Sequence, residues 1–105
     1  MTPTSANEAL AVAKQLARAA GDMALAGRKA GLHNVQTKST GTDMVTEFDR
    51  ASEAMIFDGL RTLRPLDSVV GEEGAAHSGE SDITWFIDPI DGTTNFLYAL
   101  PNWAV

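Results

Sequence analysis

The chain has 105 residues, 44% of them hydrophobic, which is enough for one domain with a buried core and too little for two. A net charge of −6 argues against a nucleic-acid or anionic-membrane surface, since either would require clustered Lys and Arg. With no cysteine, neither a disulfide framework nor a thiolate metal site is available, in keeping with a reducing compartment.

The first ten residues lack the basic and apolar regions of a secretory signal. No apolar stretch approaches the roughly 18 residues needed to span a bilayer, so the expected location is the cytoplasm. Charge is unevenly spread. All eight Lys and Arg lie at or before Arg64, whereas residues 65–105 carry Asp67, Glu72, Glu73, Glu80, Asp82, Asp88 and Asp91 with no base. Such a segment either forms a solvated acidic face or is neutralised by distant bases, water or bound cations.

Ser5-x-x-Glu8 has the pattern of a capping box and predicts the start of a long alanine-rich helix. Val12, Leu16, Ala19/Ala20 and Met23 form its apolar stripe, and Gly31 supplies a stop. Residues 33–38 read as a short strand and residues 39–43 as a loop. A second helix is predicted from about Thr46, with Thr46-x-x-Asp49 as its cap and Phe48, Met55, Ile56, Leu60 and Leu63 as its apolar positions. Pro65 ends it.

Ser68 to Gly71 reads as a buried strand running into Glu72-Glu73. Residues 74–82 read as a mobile loop, and residues 83–87 as a second strand rich in aromatic and β-branched types. Residues 102–105 open a further strand with no stop signal, so the chain reads as cut. His33 and His77 have no partner at metal-ligand spacing and read as exposed loop residues without a role.

The strand at 83–87 delivers the chain into Asp88-Pro-Ile-Asp91-Gly-Thr-Thr-Asn95. Pro89 ends the strand ladder, and the turn can bring the Asp88 and Asp91 carboxylates and the Ile90 carbonyl to one side. These are hard oxygen donors, suited to Mg²⁺ and not to zinc or copper. Gly92-Thr93 would then open a helical turn whose amides face an anion. Taken alone, this string is equally an ordinary strand–turn–helix junction with Asp as a cap. Glu72-Glu73 shifts the balance: if the two strands lie side by side, their terminal carboxylates share one sheet edge. Thr46 and Asp49 read as helix caps, or as a functional Asp49 that bonds a threonine hydroxyl to orient water.

Lys38…Asp43-x-Val45-Thr46-x-x-Asp49, then Gly71-Glu72-Glu73, then Trp85-x-Ile87-Asp88-Pro89-Ile90-Asp91-Gly92-Thr93-Thr94-Asn95-Phe96 together resemble the inositol monophosphatase family. The resemblance runs from about Lys38 to the end. It implies an α/β fold, the N-terminal portion of the family's layered α/β/α/β/α sandwich, with residues 1–105 as part of a single domain. It also implies Mg²⁺-dependent hydrolysis of small phosphate monoesters, with two or three ions, lithium sensitivity, a phosphorylated polyol as substrate, and a homodimer for the full-length chain.

By the same resemblance Glu72, Asp88 and the Ile90 carbonyl would ligate one metal, and Asp88 and Asp91 a second. Glu73 would assist a weaker ion. The Gly92 and Thr93 amides, beside Asp91, would hold the phosphate, and Thr93 bonded to Asp49 would position water. Lys38, Asp43 and Thr46 complete the pattern in supporting positions. The family's later Trp-Asp motif, which completes the second metal site, lies outside these 105 residues, so the segment alone is expected to be inactive and poorly stable. Inositol 1-phosphate is the expected substrate. Histidinol phosphate, fructose 1,6-bisphosphate and 3′-phosphoadenosine nucleotides are alternatives, and a non-enzymatic regulatory role or an inactive fragment is a reading of another class.

Overall fold

The computed structural model describes residues 3–30, 36–37 and 44–105. Helix α1 spans Pro3–Ala30 and helix α2 Glu47–Leu63. The predicted capping box at Ser5 does not open α1, because Ser5 already lies inside the helix. Proline at a first helical position needs no N–H partner and has its φ preset, so the helix starts earlier. Arg28 and Lys29 in the last turn complement the helix dipole. The residues of α1 that are buried are Leu16, Ala20 and Ala24, a stripe at four-residue spacing. Ala19 is exposed and Met23 half-buried, so the predicted stripe is rotated by about a residue.

Helix α2 begins where the sequence predicts. Thr46 is its N-cap, and its hydroxyl oxygen accepts from the amides of Phe48 (3.2 Å) and Asp49 (3.3 Å). Asp49 returns the bond by accepting from the Thr46 amide at 2.8 Å, which completes a capping box. At the other end the Arg64 amide donates to Leu60 at 2.7 Å, and Pro65 follows. Ile56 and Leu60 are buried as predicted, but Met55 and Leu63 are exposed. The rest of the buried face is polar, consisting of Asp49, Ser52 and Glu53.

Strands β1 (Gln36–Thr37) and β2 (Met44–Val45) pair antiparallel. β1 falls within the predicted strand, whereas His33, Lys38 and the predicted loop at 39–43 lie outside the described residues. A second sheet has the order β4-β3-β5, formed by Ala76–His77, Ser68–Gly71 and Thr84–Ile87. β4 lies in the segment predicted as a mobile loop, and it pairs antiparallel with β3, so His77 is a half-buried strand residue. The rest of that segment is tied back to the start of β3. The amides of Glu80 and Ser81 donate to the Leu66 carbonyl at 2.8 and 2.9 Å, and the Gly79 amide donates to Ser68 Oγ at 2.9 Å.

β3 and β5 run parallel in the register Ser68↔Thr84 to Gly71↔Ile87. Both strands therefore end at one edge, and Glu72 and Asp88 leave it side by side. The Glu72 amide donates to the Ile87 carbonyl at 3.1 Å. One face of this sheet packs Val69 and Ile87 against Leu16, Ala20, Ile56 and Leu60. The other carries Val70 and Phe86, and Phe86 is 78% exposed.

At the opposite end of the strands, buried Asp67 collects three donors: Arg64 Nε at 2.7 Å, Ser81 Oγ at 2.7 Å and Trp85 Nε1 at 2.8 Å. Burial pushes the Asp67 pKa up. The bonds from Ser81, Trp85 and Arg64, with the charge of Arg64, outweigh burial and hold the carboxyl below its ordinary value. In this way the acid-rich C-terminal half borrows a base from before residue 65.

A second core lies beneath the last helix, α3 (Thr93–Leu97). Fully buried Phe96 packs with Ala24 and Ile90, and edge-to-face against Phe48 (6.2 Å) and Trp103 (4.9 Å). The Arg28 guanidinium stands 5.6 Å from the Phe96 ring centre and 5.8 Å from that of Trp103. The strand predicted at 102–105 is reduced to one antiparallel bridge, Asp91↔Ala104. Among the described residues no helix is long and apolar enough to cross a membrane.

Candidate active site

Three segments meet at the carboxyl edge of the β3–β5 pair. The first is the turn at residues 71–75, which carries Glu72 and Glu73. The second is the turn at 88–91, which carries Asp88, Ile90 and Asp91. The third is the start of α3, with Gly92 and Thr93. Gly92 is the N-cap of α3 at φ 81°, in the left-handed region that favours glycine. A Cβ there would stand 2.8 Å from the Asn102 carbonyl oxygen, so glycine is required on both counts.

Thr93 faces back towards α2. Its hydroxyl lies 2.8 Å from Asp49 Oδ1 and 3.1 Å from the Ile90 carbonyl oxygen, within reach of both as acceptors. Asp49 is 1% exposed, and its other oxygen accepts from the Thr46 amide and hydroxyl, the latter at 2.5 Å. One carboxylate oxygen of Asp49 therefore makes the cap of α2, and the other accepts from the Thr93 hydroxyl. With both oxygens engaged, Asp49 is fixed in direction and holds Thr93 in turn.

Asp88, Asp91 and Glu72 are exposed, and Glu73 is half-buried. Glu72 and Asp88 directly follow the ends of β3 and β5, and Asp91 is bridged to Ala104, but among the described residues no group of three or more His, Cys, Asp or Glu side chains is gathered closely enough to hold a metal ion. The donor types, carboxylates with a backbone carbonyl and no imidazole or thiolate, fit a hard divalent cation. Lys38 and Asp43 lie outside the described residues.

Sequence reasoning missed Ser52 and Glu53. Ser52 Oγ donates to the Pro89 carbonyl at 2.9 Å, and Glu53 accepts from the amides of Glu73 (2.8 Å) and Ala75 (2.9 Å). The signal was available: both stand three and four residues beyond Asp49, on the helical face that continues into Ile56 and Leu60. Polar residues on a buried stripe must find partners, and here each partner is a site segment.

Parallel strands ending in carboxylates, and a glycine-started turn whose threonine bonds a buried aspartate, define a layered α/β protein with these candidate residues near the carboxyl edge of the sheet. The chain belongs to the inositol monophosphatase family, whose model matches residues 5–105. It is 46% identical over 84 residues to the inositol-1-monophosphatase of Mycobacterium leprae, covering 72% of this chain and 28% of that protein. It is 40% identical over 98 residues to the Nus factor SuhB of Salmonella typhimurium, covering 91% of this chain and 36% of that one. Among solved structures, the IMPase of Thermotoga maritima superposes with a TM-score of 0.78 at 37% identity, covering 90% of this chain and 36% of that chain. The helices and small mixed sheet are accordingly part of that family's α/β sandwich, and the chain spans about a third of the length of the relatives it matches.

Proposed function

We propose that the protein containing these residues hydrolyses a small phosphate monoester with Mg²⁺, and that inositol 1-phosphate is its substrate. The observation that carries the reading is the Thr93–Asp49 hydrogen bond at 2.8 Å, set beside the Asp88–Asp91 turn at the ends of two parallel strands. Family membership and the named activity of the mycobacterial relative support it.

Glu72, Asp88 and the Ile90 carbonyl would hold one Mg²⁺, and Asp88 and Asp91 a second, with Glu73 near a weaker third. Bound Mg²⁺ supplies an acidified water and neutralises charge on the phosphate oxygens. Asp49 fixes the Thr93 hydroxyl by accepting its hydrogen bond, which leaves the lone pairs of Oγ1 to accept from a water. That water's oxygen forms the new P–O bond as the ester P–O bond breaks, and the proton that the water gives up ends on the departing alkoxide. The amides of Gly92 and Thr93 are assigned to the phosphate oxygens. Lithium is expected to compete at the weaker cation position, and the cytoplasm is the proposed location.

A second reading, a regulatory interaction protein, draws on the likeness to a Nus factor. The experiment is phosphate release by the full-length protein from inositol 1-phosphate, histidinol phosphate and fructose 1,6-bisphosphate, with and without Mg²⁺. Mg²⁺-dependent release that is fastest from inositol 1-phosphate is the expected result. Another preferred ester changes the substrate and leaves the mechanism, whereas no release from a folded protein favours the regulatory reading.

A further inference from the structure

We propose that the buried polar face of α2 is the positioning device of the site, with Glu53 as the residue that aims the Glu72 carboxylate. The inference rests on the metal-dependent reading above and goes beyond it by assigning roles to residues that touch neither metal nor substrate. Asp49, Ser52 and Glu53 stand at i, i+3 and i+4, and each bonds a different site segment. Asp49 takes the start of α3 through Thr93, Ser52 takes the 88–91 turn through the Pro89 carbonyl, and Glu53 takes the 71–75 turn. Those three segments carry every proposed ligand. One rigid helix face thus sets their mutual placement.

Glu53 makes the most specific connection. It is 3% exposed, and its two oxygens accept separate amides, Oε1 from Glu73 and Oε2 from Ala75. Two bonds two residues apart fix both the position and the rotation of the turn. The turn is shaped to admit the carboxylate. Gly71 leaves room where a Cβ would collide with the Glu53 carboxyl group, and Gly74 takes φ 108° to bring the chain round. The Gly71 amide closes the turn on the Ala75 carbonyl at 2.7 Å.

Stability alone is a poor reason for a carboxylate here. An apolar side chain at position 53 would extend the Ile56–Leu60 stripe without the desolvation cost of a buried charge. What a carboxylate adds is direction, because charge-assisted bonds to the Glu73 and Ala75 amides hold the preceding residue, Glu72, on a defined path. Supporting groups of this kind typically change metal affinity or activity by roughly 10- to 100-fold when they are lost.

The test uses the full-length protein carrying Glu53→Gln, which keeps the volume but turns an NH₂ group towards one of the two amides. Mn²⁺ affinity is read by electron paramagnetic resonance, amide exchange at Glu73 and Ala75 by NMR, and kcat and KM by phosphate release, with Asp88→Asn as reference. The expected results are Mn²⁺ binding weakened by roughly 10- to 100-fold, faster exchange at both amides, reduced kcat at fixed Mg²⁺, and a nearly unchanged KM for the ester. Glu53→Asp, which keeps the charge but withdraws it by one methylene, is expected to show the same losses to a smaller degree and secures the test if the Gln variant misfolds. Wild-type Mn²⁺ affinity in a folded Glu53 variant, with affinity lost in Asp88→Asn, overturns the positioning role and leaves the metal site standing. Unchanged affinity in Asp88→Asn as well overturns the metal reading itself, and this inference with it.

Discussion

The Thr93 hydroxyl and the Asp49 carboxylate, 44 residues apart in the chain, meet at 2.8 Å and join the first turn of α2 to the first turn of α3. Because Asp49 also caps its own helix, one residue sets where α2 begins and where Thr93 points. That coupling places the cap of α2 and the direction of the Thr93 hydroxyl on one side chain.

Thr93→Ala removes the hydroxyl and leaves the capping box of α2 intact. It is expected to lower kcat by roughly 10² to 10⁴, the usual range for a lost proton-handling group, with a much smaller effect on Mg²⁺ affinity. Steady-state kinetics over a Mg²⁺ series measures both. Equal losses would make Thr93 a structural cap.

Asp91→Asn keeps the shape of the turn and its backbone bridge to Ala104. It should reduce turnover by roughly 10² to 10³, on the scale of other lost transition-state electrostatics. Circular dichroism should show a fold as stable as the parent, since the change relieves repulsion among carboxylates. Loss of folded protein would count against a ligand role.

Gly71→Ala drives a methyl group into the Glu53 carboxyl group and should destabilise the protein by about 1–3 kcal/mol, the range for an overpacked site. The cost should fall in a Glu53→Ala background, where the obstacle is gone. Denaturant unfolding of the two single variants and the double variant measures this coupling. An unchanged cost would mean that the close approach of Gly71 and Glu53 carries no energy.

Asp67 gives a pH dependence of known sign. Its native pKa is depressed, so the stability it contributes is fully present above the ordinary carboxyl value of about 3.9. That contribution is lost as pH falls through the lower native value. Asp67→Asn should flatten this acid limb of the stability curve without changing turnover near neutrality, because Asp67 lies at the far end of the strands from the site. An acid limb of unchanged steepness would contradict the assignment.

The sheet face bearing Val70 and Phe86 has no covering layer among the described residues. Expressed alone, this segment is expected to bind an apolar dye such as ANS and to show no phosphatase activity. A stable monomer that binds no dye would contradict the expectation.

Much of this fold was legible in the sequence because local chemistry and tertiary packing agree. The β-branched and aromatic runs at 68–71 and 83–87 became parallel neighbours, and the Thr46–Asp49 pattern marked the true start of α2. Local signals failed where a distant partner decides. Ala76 and His77 have no strand signature of their own and become a strand only through pairing with β3. Ser52 and Glu53 read as ordinary polar helix residues until the turns that they bond are folded against them. Ser5 matched a capping pattern, but Pro3, two residues earlier, could start the helix without one. The candidate site was legible as three short strings. Its scaffold was not, since scaffold bonds run to backbone atoms, which carry no residue signature.

The most direct test of the central claim is phosphate release from inositol 1-phosphate by the full-length protein and its Asp88→Asn variant across a range of Mg²⁺ concentrations. The account predicts release that requires Mg²⁺ in the parent and is lost in a variant that remains folded. Release that persists without Mg²⁺, or survives in Asp88→Asn, would contradict it.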